Sequence, residues 1–255
     1  MIKVNDLKEL IRTVLFSGYI AEENPLSIMF VADVGSGKSE MLNTFRVNDN
    51  IAYFTDVTYM GLIKLLQETK EVRHIVIPDF LKITMKRKST TDNITSCFNA
   101  MMEEGLDKIS MMGQSFDFKG KKLGLITATT KASFNQYKKQ WKAMGFLSRM
   151  LIISYKYSSK TQKEIFDYIM KREYLKNGAH KKENMPIRNH DVELSLKLAK
   201  KLKDKKTSFR RQKQFQTLAM SRALMDNRDR FKVTEDDIKM VNSFKKYLNL
   251  DFTEI

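Results

Sequence analysis

The chain of 255 residues has a single cysteine, Cys97, three prolines and one tryptophan. A lone cysteine excludes an internal disulfide framework and fits a reducing, cytoplasmic compartment. No apolar run approaches the roughly 18 residues of a membrane-spanning helix. The N-terminal Met1-Ile2-Lys3-Val4-Asn5-Asp6-Leu7 lacks the apolar stretch of a signal peptide. A membrane partner is therefore not expected. The three histidines are scattered, so neither a metal-ligating constellation nor a Ser/His/Asp arrangement is visible.

Acid is scarce relative to base, with 30 Asp and Glu against 46 Lys and Arg and a formal net charge of +16. The imbalance is uneven. Residues 1–80 carry 8 basic against 11 acidic side chains, whereas residues 81–155 carry 13 against 5 and residues 156–206 carry 15 against 7. Basicity outside one slightly acidic segment is the electrostatic footprint expected for a polyanion such as DNA. A solvated, lysine-rich surface is the plainer explanation of the same numbers.

What is present is organised around Ser27 to Asn43. An apolar run, Ile28-Met29-Phe30-Val31, leads into Ala32-Asp33-Val34-Gly35-Ser36-Gly37-Lys38-Ser39 and then the helix-compatible Glu40-Met41-Leu42. A buried strand, a glycine loop and a helix start are the context of a phosphate-binding P-loop. Gly35 and Gly37 let successive backbone N–H groups face a phosphate, and the helix N-terminus adds partial positive charge. Residues Ala32 to Glu40 form the expected cradle of a nucleoside triphosphate. Lys38 would reach the β- and γ-phosphates, and the Ser39 hydroxyl would ligate Mg²⁺. Ala32 stands where the pattern opens with glycine, and alanine tolerates a positive φ less well.

Around the loop, residues 4–19 carry a helical apolar stripe, and Ile51 to Phe54 reads as a strand. Thr58 to Thr69 reads as a helix. His74-Ile75-Val76-Ile77-Pro78-Asp79-Phe80 describes a buried strand whose end delivers a carboxylate, the layout of a Walker B motif. Its register has two readings. If Asp79 is the metal-supporting acid, Phe80 holds the place of the water-polarising Glu; if Asp79 takes that place, Pro78 replaces the first acid. A helix is expected from about Asp92 to Gly105, ending in Glu103 and Glu104 as solvated charges. Two short strands with two tight turns are expected over Ile109 to Lys122. Leu123 to Thr130 is a further buried strand ending in hydroxyls, and Met150 to Tyr155 is the last. Beyond Tyr157, helices are expected at Lys160–Tyr174, Val192–Lys203, Ser208–Met225 and from the near capping box at Thr234 and Asp237 to about Leu250. A polar loop separates the first two of these helices at 177–186.

This order of parts resembles an AAA+ ATPase over nearly the whole chain, with details similar to the MCM and MoxR branch. The resemblance implies an α/β fold: a P-loop core over 1–157, with a parallel sheet flanked by helices, and an all-helical lid over 158–255. It implies ATP and Mg²⁺ as ligands and a homo-oligomeric ring or spiral, possible hexamers included. Arg149 in Gly-Phe-Leu-Ser-Arg-Met resembles that branch's Leu-Ser-Arg-Phe, whose arginine acts on the neighbouring subunit's γ-phosphate. Ser208-Phe209-Arg210-Arg211 is similar to the branch's lid, which makes Arg210 the sensor 2 arginine, with Arg211 as second choice. Thr129 and Thr130 sit where sensor 1 would be. The Ile109–Lys122 segment falls where MCM-type proteins insert DNA-facing hairpins, so Lys119, Lys121 and Lys122 become candidate phosphate contacts. The expected activity is ATP hydrolysis coupled to work on DNA, slowed by the incomplete Walker B acid pair. The alternatives are a MoxR-like remodeller with a protein partner and a weakly hydrolysing ATP-binding scaffold.

Overall fold

The computed structural model describes residues 4–69, 71–111, 113–171, 182–203, 208–226 and 231–248. The apolar runs become the parallel strands of one sheet: β1 (Ile28–Ala32), β2 (Ile51–Tyr53), β3 (His74–Ile77), β6 (Gly124–Thr130) and β7 (Leu151–Ser154), in the order β2-β3-β6-β1-β7. Every residue of β1 is buried, as a parallel strand with both faces covered requires. A separate antiparallel hairpin joins β4 (Leu106–Met111) to β5 (Gln114–Lys121).

Alternation along β1 divides the core. Ile28, Phe30 and Ala32 face α1 (Val4–Phe16), α2 (Lys38–Asn43), α9 (Phe209–Met225) and α10 (Glu235–Lys245). Met29 and Val31 belong to the opposite face, covered by α3 (Tyr59–Glu68), α5 (Lys88–Met102) and α6 (Lys131–Ala143). The chain thus leaves β1 into a helix on one face and leaves the adjacent β6 into a helix on the other. Such a switch point opens a crevice at the carboxyl ends of the two strands, the usual ligand position in open α/β sheets. The outer side of β7 is met at its carboxyl end: Ser154 N donates to Tyr247 O at 2.9 Å, and Ile153 bridges Leu248.

Several boundaries differ from the sequence reading. The P-loop helix, expected to reach about Arg46, ends at Asn43 and continues as turns. α5 starts at Lys88, four residues early, and ends at Met102. The hairpin has one turn; the second expected turn is a bulge opposite Leu106–Lys108, where Lys119 (φ 52°) and Gly120 (φ 74°) adopt the left-handed region. Gly105 accommodates this close approach, because a Cβ there would lie 2.5 Å from the Gly120 carbonyl oxygen.

In the C-terminal part, the described residues include α7 (Ser159–Met170) and α8 (Leu196–Lys201), the latter shorter than the helix expected over 192–203. The expected extension of α7 to Tyr174 and the 177–181 part of the polar loop lie outside the described residues. The last helix, expected to reach about Leu250, ends at Lys245, and 246–248 continue as turns and a bridge. The capping box forms as read: Thr234 N donates to Asp237 Oδ2 at 2.7 Å. Phe215, Leu218, Ala219, Leu224, Val241 and Phe244 share one apolar cluster with α1 and the Ile28–Phe30 face of the sheet.

Candidate nucleotide-binding site

The loop after β1 lies at the switch-point crevice. Gly35 (φ 75°) and Gly37 (φ 73°) both occupy the left-handed region, and a Cβ at either would meet nothing within 4 Å. Glycine is therefore needed for backbone conformation, which keeps the loop open, and not for packing. Ala32 resolves differently from the concern its sequence raises. It is the last residue of β1, 1% exposed and in register with Thr130, and it is not among the positive-φ residues. No glycine is required there. The α2 helix has six residues, too short for a full macrodipole, so the loop amides and Lys38 carry most of the positive potential.

Lys38 is 8% exposed. Its ammonium donates to Ala32 O at 2.9 Å, Asp33 O at 2.7 Å and Ser36 Oγ at 3.2 Å. Burial lowers its pKa from the ordinary lysine value, against the opposing fields of Asp33 and Asp79. The loop therefore wraps its own cation with neutral oxygens. An incoming anion would replace dipoles with full charge, which is the exchange a phosphate site needs. Asp33, Val34, Gly35, Ser39 and Glu40 are exposed around it.

β3 ends beside the loop. The Ser39 hydroxyl donates to Pro78 O at 3.4 Å, and Asp79 follows, its Oδ1 accepting from Leu81 N at 3.1 Å to start α4 (Leu81–Thr84). Asp79 thus joins Asp33 as an acid whose field reaches Lys38. Phe80 is fully buried, stacked on Phe146 at 5.2 Å and edge-on to Trp141 at 5.6 Å. Its place in the core explains why no Glu follows Asp79. Thr129, at the end of β6 in register with Val31, is 2% exposed, and its Oγ1 has no hydrogen-bond partner among the described residues. A buried hydroxyl left unpaired is costly unless a ligand completes it. Thr130 has another use: its Oγ1 accepts from Ser133 N at 3.1 Å, capping α6.

The remaining arginines lie elsewhere. Arg149 ends a short 3-10 turn just before β7, so it sits at the amino edge of the sheet, and the loop sits at the carboxyl edge. The five residues of β1 separate these edges by roughly 15 Å. Arg149 Nε lies 2.8 Å from Glu103 Oε2, an ion pair without hydrogen-bond alignment, and its NH1 donates to Gly145 O at 2.9 Å. Arg210 Nε donates to Glu103 Oε1 at 3.0 Å, and its NH1 to Ser148 Oγ at 2.8 Å. Both arginines line one cavity of about 470 Å³ with Ser27, at the start of β1, and the fully projecting Phe209. Arg211 is 5% exposed and donates to Met150 O at 2.7 Å and Gln214 Oε1 at 2.8 Å. Burial, with Arg210 nearby, pushes its pKa down to about 10.

Arg210 and Arg211, expected to serve the nucleotide loop, thus lie at the opposite edge of the sheet from their own loop. The start of α9 packs against the amino edge, and Arg211 is committed to holding Met150. Glu103 is likewise not a solvated charge, because it joins Arg149 to Arg210.

The hairpin lysines have partners within the chain. Lys121 Nζ donates to Leu66 O at 3.2 Å and to Thr69 O, closing the carboxyl end of α3. Lys122 donates to Asn24 Oδ1 at 2.9 Å. Lys119 sits in the bulge. All three belong to the base of the hairpin, whose tip lies at Met111–Gln114.

Two contributors to the crevice escaped the sequence reading. Lys131, the first residue of α6, places Nζ 3.4 Å from Asp33 Oδ2. Tyr155 Oη donates to Ser36 O at 3.5 Å, with Tyr157 tilted against its ring at 5.3 Å. Their signal was position: each follows a strand that ends beside β1. No helix among the described residues is long and apolar enough to cross a membrane. No model of a known protein family matches the chain, and no curated protein is significantly similar to it.

Proposed function

We propose that this chain is an AAA+-like ATPase that binds ATP at the Ala32–Glu40 loop between copies of itself and acts on DNA. The observation that carries the reading is the loop itself: two left-handed glycines around an ammonium held by the loop's own oxygens, beside Asp79 and the unpaired Thr129 hydroxyl. These groups fit a triphosphate. Lys38 would hold the β- and γ-phosphate oxygens, and Thr129 would fix the γ-phosphate or the water that attacks it. The Ser39 hydroxyl and the Asp79 carboxylate would hold Mg²⁺, which when bound neutralises charge across the β- and γ-oxygens.

Arg149 and Arg210 face away from their own loop, so they are suited to a neighbour's. In a head-to-tail assembly, the amino edge of one subunit meets the carboxyl edge of the next. The phosphates then compete with Glu103 for the two guanidinium groups. DNA as partner rests on the excess of base outside the first 80 residues, and phosphate contacts of that kind weaken steeply with salt.

A second reading has its own support. Phe80 occupies the position of the water-polarising Glu and is buried, which favours a site that holds ATP and turns it over slowly, as a switch. Mg-ATPase rates with and without single- and double-stranded DNA, with Lys38→Ala as the blank, separate the two. DNA-stimulated turnover that is lost in high salt and in the variant supports the motor. Tight ATP binding without turnover on either DNA overturns it in favour of the switch. The absence of any nucleotide binding overturns both.

A further inference from the structure

Arg210 and Arg211 lie at the amino edge of the sheet, away from their own loop. A nucleoside triphosphate brings about four negative charges, and Lys38 with a divalent cation balances three. One further cation of the same chain would complete the balance before a neighbour's arginines engage.

We infer that Lys131 is that cation, a γ-phosphate ligand that rests on Asp33 until a triphosphate arrives. This rests on the nucleotide-binding reading above. Three observations lead to it. The β1–β6 register pairs Ala32 with Thr130, so the next residues along the two strands, Asp33 and Lys131, emerge side by side over the loop. Lys131 Nζ lies 3.4 Å from Asp33 Oδ2, and among the described residues no other cation outside the loop is ion-paired to it. Asp33 also supplies a backbone oxygen to the Lys38 ammonium, so both lysines converge on one residue at the end of the loop where Lys38 marks the β- and γ-phosphate positions.

The resting pair is weak by construction. The Asp33 carboxylate is 61% exposed and the Lys131 side chain 27%, so water already competes for both partners. A γ-phosphate carries more charge than a carboxylate and offers three acceptor oxygens, and it would be held in the drier part of the crevice. Exchange of Asp33 for phosphate is therefore favourable. The unpaired Thr129 hydroxyl, two residues before Lys131 on the same strand end, adds a neutral donor for the same group. Diphosphates lack the γ group, so the contribution of Lys131 is specific to the triphosphate.

The test measures dissociation constants for ATP and ADP in excess Mg²⁺ for the wild type, Lys131→Ala and Lys131→Arg, with thermal melting as a folding control. Lys131→Ala is expected to weaken ATP by about tenfold and ADP by less than about twofold, with Lys131→Arg recovering most of the difference. Equal losses for both nucleotides, or no loss for either, would overturn the assignment while the nucleotide site stands. If the wild type binds neither nucleotide, the site reading fails and Lys131 with it.

Discussion

His74 illustrates at the residue scale how tightly the sheet constrains a side chain. It is fully buried, with Nε2 3.5 Å from Ser17 Oγ and Nδ1 unpartnered among the described residues. Burial drives its pKa from 6.5 to about 3. The Ser17 hydroxyl is already committed, donating to Val14 O and accepting from Leu26 N at 2.7 Å. Neutral His74 is thus the folded form. Between pH 6.5 and 3 the unfolded chain binds the proton that the folded chain refuses, so stability is full above 6.5 and falls as pH drops through that window. The slope contributed is at most about 1.4 kcal/mol per pH unit. Urea denaturation at pH 7.5, 6 and 5 should show the decline, and His74→Gln should flatten it. An unchanged slope in the variant would assign the acid sensitivity to other groups.

Legibility from sequence also varies at this scale. The placement of Lys38, Ser39 and Asp79 around one loop was readable because local spacing on a strand and its loop fixes it. The placement of Arg210, Arg211 and Lys121 was not, because their partners, Glu103, Met150 and Leu66, are distant in sequence. No periodicity encodes which edge of the sheet a helix start will meet.

Among the elements, the β3–α4 junction decides the chemistry of the site. Pro78 ends the strand, Asp79 caps α4, and Phe80 turns inward to Phe98, Trp141 and Phe146. An attempt to restore the acid pair by Phe80→Glu should therefore damage the fold before it aids hydrolysis. Loss of a buried aromatic costs about 3–5 kcal/mol, and a desolvated carboxylate adds to it. The expected result is a large fall in melting temperature with no gain in ATPase rate; a stable, faster variant would show that residue 80 can turn toward the loop. Elements as such were well anticipated wherever apolar periodicity is strong, as in α1, β1, β6 and α9. α2 was overextended because its amphipathic pattern continues through Phe45, which stays buried in a turn. The bulge at Lys119–Gly120 looked like a turn because both use left-handed residues.

For the molecule as a whole, the apolar core crosses the boundary expected at Tyr157. The first face of the sheet is completed by α9 and α10, so a fragment of residues 1–157 would expose Ile28, Phe30, Ile126 and Ile153 to water. That fragment is expected to bind a hydrophobic dye and to lack a cooperative thermal transition, whereas the full chain unfolds as one unit. A cooperatively folded fragment would restore the two-domain description. The change in composition after residue 157 was a real signal, but of surface chemistry: lysine-rich faces were visible, whereas the apolar sides of α9 and α10 give no hint of which surface they cover.

The strap that Tyr247 and Leu248 lay along β7 bears on how copies of this chain can join. An unprotected strand invites another chain to continue the hydrogen-bond ladder, a union that is hard to reverse and open to fibrous growth. Where Ile153 and Ser154 are already paired, recognition falls to side chains, whose pairing is reversible and can be loosened by salt. An assembly of the kind proposed, built on such contacts, would be able to come apart and re-form as its ligand changes.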